Sequence, residues 1–110
     1  MNREIKVRAW DKPNKQMRGP WEVWYIPENM NFELMQFTGL NDKNGKEIYE
    51  GDIVEMNGWV AQIVWSGFTS SFMYEKPAKR SGNVDDFLWQ SYAGMKVIGN
   101  IMENPELLKV

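Results

Sequence analysis

The chain has 110 residues, enough for one domain with one core and too few for two. It contains no cysteine and no histidine, which excludes disulfides, thiolate zinc sites, iron–sulfur clusters and Ser-His-Asp or Cys-His catalysis. The net charge is only −2 but is segregated: residues 1–20 carry six basic against two acidic side chains, and residues 21–58 carry eight acidic against two lysines.

In chain order, Glu4–Trp10 alternates polar and apolar residues, with Ile5, Val7 and Ala9 on one face, the period of a half-buried strand. Asp11-Lys12-Pro13-Asn14-Lys15 is turn chemistry, and Trp21–Ile26 is a second extended run closed by Pro27. Residues 33–38 form a third, with a helix over 28–36 as the alternative, since Met and Leu suit both. Residues 39–52 read as a polar loop latched by Ile48-Tyr49. Two extended runs, 52–56 and 59–65, flank Asn57-Gly58, a pair that accepts the positive φ values of a type I′ hairpin turn. A strand over 68–74 follows, then an exposed polar loop over 76–86. Phe87-Leu88-Trp89 re-enters the core. A last strand over 95–102 has Gly99 at a bulge, and Asn104-Pro105-Glu106 caps one short C-terminal helical turn.

Many short strands with Gly, Asn and Pro turns and no 3.6-residue periodicity predict an all-β barrel or sandwich. The expected organisation is a single domain over 1–110, with a soft division between an N-terminal β hairpin or ribbon (1–39) and a small barrel (40–110). The charged start lacks the apolar core of a signal peptide, and no run approaches a membrane span, so the expected location is the cytoplasm with no membrane partner.

With imidazole and thiolate absent, carboxylates carry whatever catalysis remains. Asp52, Asp85 and Asp86 are the candidates for a magnesium-dependent enzyme, the least favoured reading. Asp42–Glu47 breaks the spacing of a calcium loop and is better explained as a turn. No Gly-rich phosphate loop is present. The expectation is therefore a protein that is not an enzyme, with no metal, cofactor or catalytic residue.

The charge split has two readings. Arg3, Lys6, Arg8, Lys12, Lys15 and Arg18 could contact phosphate as a nucleic-acid footprint. Alternatively the basic segment packs beside the acidic one, within the chain or across a subunit boundary. The second is favoured, because a nucleic-acid binder of this size usually has a basic total. Six tryptophans divide likewise. Trp59 and Trp65 lie in a strand apolar on both faces and are expected in the core, whereas Trp10, Trp21 and Trp24 are candidate interface residues, to be covered by self-association.

Three blocks carry a resemblance. Arg3–Asp11, then Leu34–Leu40 with Asp42–Val54, then Val97–Ile101 with Glu103–Leu108 resemble, in order, the opening, central and C-terminal signatures of the YopX family of phage and prophage proteins. The resemblance implies a mainly β protein with an N-terminal β segment and a C-terminal SH3-like barrel, encoded on mobile elements of bacteria. It implies no activity and no functional residues. The motif glycines 39, 45, 51 and 99 suit unusual φ, and Asp52 can bond back to its own turn, so these signatures read as fold signatures first. Taken together, the expectation is a non-enzymatic, homo-oligomeric β-domain binding a host or phage protein. The alternative is a nucleic-acid-binding module.

Overall fold

The computed structural model describes residues 5–22, 32–76, 85–88 and 92–108. Strand β1 (Lys6–Asp11) buries Val7, Ala9 and Asp11 in alternation and leaves Ile5, just outside it, half exposed. It pairs antiparallel with β2 (Gln16–Glu22). This strand begins five residues before the expected Trp21, because Asp11 fixes the intervening turn: its carboxylate accepts from the backbone and side-chain nitrogens of Asn14 at 3.2 and 2.9 Å and from Arg18 Nε at 3.1 Å. These bonds, the Asn14 side chain foremost, hold the Asp11 carboxyl below its ordinary value.

β3 (Phe32–Asn41) pairs with the other edge of β1, so residues 32–36 are strand and not helix; residues 28–31 lie outside the described residues. The expected loop then yields a short strand, β4 (Glu47–Tyr49), with Ile48 fully buried. These four strands form one sheet in the order β2-β1-β3-β4. β5 (Asp52–Met56) and β6 (Trp59–Ser66) form the expected hairpin, with φ of +53° at Asn57 and +85° at Gly58. β7 (Ser71–Glu75), β8 (Asp85–Phe87) and β9 (Lys96–Asn100) complete a second sheet in the order β8-β7-β6-β5-β9. Most of the expected 76–86 loop, together with Trp89, lies outside the described residues. Among them, no helix is long and apolar enough to cross a membrane.

The all-β reading holds, and the SH3-like barrel is not confirmed: among the described residues no ladder joins β8 to β9 and neither sheet closes. The free edge at the start of β9 is taken by the β3–β4 loop, where Lys43 N–H donates to Met95 C=O at 2.9 Å and the Asp42 carboxylate accepts from Val97 N–H at 2.9 Å. Leu88 and Met95, next to those two strands, are fully buried.

The bulge expected at Gly99 is present: Ile53 pairs with Gly99 and Val54 with Val97, leaving Ile98 extra. Glycine is required by contact, since a Cβ there would lie 2.5 Å from Asn104 Oδ1. Asn104 bonds backwards, accepting from Asn100 N–H at 3.2 Å, while its backbone carbonyl accepts from Leu107 to start the final 3-10 turn (Pro105–Leu108). The side chain of Asn100 holds the preceding turn through Met102 N–H and Glu103 N–H.

One core serves both sheets. Ile48 of the first packs with Val54, Ala61, Ile63 and Tyr74 of the second, along with Leu88, Met95 and Val97. β3 runs through residues 39 and 40, and the chain passes from one sheet to the other at Glu50–Gly51.

Candidate functional site: a seam and a cleft

Two places concentrate side chains with chemical potential: the seam where the sheets meet, and a cleft beside it. At the seam, β1 presents Lys6 and Arg8 on one face. Arg8 Nη2 donates to Asp52 Oδ1 at 2.6 Å and more distantly to Glu50 C=O at 3.5 Å, while its guanidinium carbon lies 4.8 Å from the centre of the Tyr49 ring. The other Asp52 oxygen accepts from Tyr49 N–H at 2.7 Å, the expected bond back to its own turn. Arg8 Nε is buried without a hydrogen-bond partner. Burial pushes the Asp52 carboxyl above its ordinary value, outweighing the opposing pull of Arg8 and Tyr49 N–H. Lys6 pairs with Glu47 and lies 5.0 Å from the centre of the Phe37 ring.

Asp42 behaves differently. Burial alone would raise it, but backbone N–H groups of Val97, Lys46 and Asn44 outweigh burial and hold it below its ordinary value. A carboxylate saturated by three amides caps its own loop. Among the described residues no group of three or more acidic side chains is placed to hold a metal ion.

Of the six cations proposed for phosphate, Lys6, Arg8 and Arg18 are paired with Glu47, Asp52 and Asp11. Lys12 and Lys15 are exposed at the β1–β2 turn, and Arg3 lies outside the described residues. Two of these three ion pairs join the basic N-terminal segment to the acidic central one, so the opposite charges meet within the chain.

The tryptophans are partly rearranged from expectation. Trp59 stacks on Tyr74 at 5.4 Å, with the Lys76 ammonium 4.3 Å from its ring centre, and packs on the core while remaining half-buried. Trp65 is not a core residue: it is 50 % exposed. It shares the inward face of β6 with Ala61 and Ile63 but lies nearer the hairpin end, where Phe72 across the ladder covers one side of the ring edge-on at 5.0 Å. Phe68, in the turn beyond, is wholly exposed. Trp10 and Trp21 are half-buried, Trp21 stacked on Phe32 at 6.2 Å, and Trp24 lies outside the described residues.

Next to Trp65 is a cleft of about 190 Å³. Glu33, Leu34 and Met35 of β3 form one wall, Gln62 to Trp65 of β6 another, and Glu50–Gly51 with Ile101 and Met102 complete it. It exists because the chain turns sharply there. Gly51 has φ of +88°, donates to Ile63 C=O and accepts from Ile101 N–H, each at 2.8 Å, which draws β3, β6 and the turn after β9 together. The sequence carried no signal for this cleft, because its walls come from four separate segments. It joins aromatic and thioether surface to two carboxylates, a lining suited to a cation with an apolar stem.

Comparison with known proteins adds two findings. The sequence profile of the family described as YopX protein matches residues 21–109, beginning after the opening block Arg3–Asp11. Among solved structures, the chain resembles protein EF1440 from Enterococcus faecalis, with a TM-score of 0.66 and 26 % identity over 96 % of this chain and 98 % of that one. No curated protein matches.

Proposed function

This chain belongs to the YopX family, and from that premise we propose that it is a phage- or prophage-encoded, non-enzymatic β-domain that self-associates and binds a host or phage protein in the bacterial cytoplasm. One observation carries the reading: the buried carboxylates and the cations facing them hold the fold, while the aromatic end of the β6–β7 hairpin stays open. Asp11, Asp42 and Asp52 are each engaged by neighbouring cations or turn amides, Trp65 stands exposed at the cleft, and Phe68 is exposed in the turn after β6. Aromatic side chains of this kind supply the anchors of protein interfaces. The remaining support for nucleic-acid binding is the pair Lys12 and Lys15.

The test is to purify partners from the induced host with wild-type and Trp65→Ala baits, then titrate the recovered protein, purified, against both. Binding that weakens at least about tenfold in the variant supports the reading. Equal binding by both, or enhanced tryptophan quenching by DNA or RNA that salt abolishes, overturns it.

A further inference from the structure

The self-association proposed above rests on no particular surface, but the distribution of unpaired charge points to one. With Lys6, Arg8 and Arg18 neutralised within the chain, the basic segment keeps, among the described residues, Lys12 and Lys15, both exposed at the tip of the β1–β2 hairpin. Of the acidic segment's described glutamates outside those pairs, Glu33, exposed, and Glu50, half-buried, line the cleft, whereas Glu22 and Glu55 do not. Among the described residues neither lysine forms an ion pair with either glutamate.

Basic tip and acidic cleft are neighbours. β1 pairs with β3 so that Trp10 faces Glu33 and Asp11 faces Phe32, and the Lys12–Lys15 turn continues directly from that ladder end. Two complementary patches side by side on one chain satisfy each other twice when a second copy is turned through a two-fold axis, which closes the assembly as a dimer.

We infer that the occupant of the cleft is a second copy of this chain: the Lys12–Lys15 turn of each protomer enters the Glu33–Glu50–Trp65 cleft of the other. A lysine's aliphatic stem lies along the apolar wall and Trp65, and its ammonium meets the carboxylates. This inference deepens the self-association reading and depends on it.

The experiment is light scattering after gel filtration on the full chain, at low salt and over a wide concentration range. Two variants are made, Lys12→Glu with Lys15→Glu, and Glu33→Lys with Glu50→Lys, each checked for folding by its thermal transition. The wild type is expected to dimerise and to weaken with salt. Each variant alone sets like charges opposite one another and is expected to dimerise at least about tenfold more weakly. Mixing the two variants places opposite charges at both contacts and is expected to restore the dimer. Should a variant fail to fold, Lys15→Glu mixed with Glu33→Lys repeats the logic with single changes. A wild-type dimer that persists in both variants overturns this inference and leaves self-association in place through another surface, such as Trp10 and Trp21. A wild type that is monomeric throughout overturns both.

Discussion

The seam joins β1 to β4 and β5, the cleft lies between β3 and β6, and the two differ in what their polar groups do. At the seam, Arg8, Asp52 and the Tyr49 amide satisfy one another across the two sheets, and Asp42 holds the start of β9 through Val97 N–H. At the cleft, Glu33 and Trp65 are exposed. The contrast separates residues that hold the fold from residues left free for binding. Asp42 and Asp52 fall within the stretch that the family profile matches, whereas Arg8 precedes it.

The sharpest way to break this comparison is at Arg8. Arg8→Met leaves Asp52 buried without its cation, and removing one partner of a buried pair costs about 3–5 kcal/mol; urea denaturation at neutral pH measures it. Asp42→Ala comes next. It removes the acceptor for Val97, Lys46 and Asn44 N–H, one of them deep in the β9 edge, with an expected loss of about 2–3 kcal/mol. The same residue gives a pH signature. Its folded carboxyl lies below the ordinary 3.8, so its contribution is fully present above that value and is lost as the pH falls through the folded value. Wild-type stability should therefore decline below about pH 3.8 in a way that Asp42→Asn does not reproduce. Asp52 has the opposite sign: its raised carboxyl favours the fold at low pH, and that contribution is lost as the pH rises through the folded value. Gly99→Ala drives a methyl group against Asn104 and should cost about 1–2 kcal/mol, eased by adding Asn104→Ala, as thermal melts of the single and double variants would register. At the exposed turn after β6 the expected effect is smallest. Phe68→Ser should change stability by less than about 0.5 kcal/mol, since the ring is wholly exposed.

Much of this architecture was legible. Period-two alternation marked β1, the Asn57-Gly58 turn fixed the β5–β6 hairpin, and Gly99 marked the bulge, because each is a local consequence of backbone preference. Joining the basic N-terminal segment to the acidic centre was also legible as charge, although which residues pair was not. The early start of β2 was not legible, because Gly19-Pro20 lies inside the strand where its ladder with β1 shifts register. Barrel closure is not confirmed among the described residues, and the contact of Asp42 and Lys43 with the edge of β9, more than fifty residues away in sequence, was not legible. Trp65 was misplaced because strand alternation tells which face a residue takes and not where the covering elements end. The cleft depends on the same long-range facts.

The central claim, that the seam holds the fold while the Trp65 surface serves binding, is tested most directly by comparing the unfolding free energies of Arg8→Met and Trp65→Ala against wild type under one set of conditions. The account predicts a loss of about 3 kcal/mol or more for Arg8→Met and about 1 kcal/mol for Trp65→Ala, whose ring is half exposed and braced on one side by Phe72. Equal losses, or a larger one for Trp65→Ala, would contradict it.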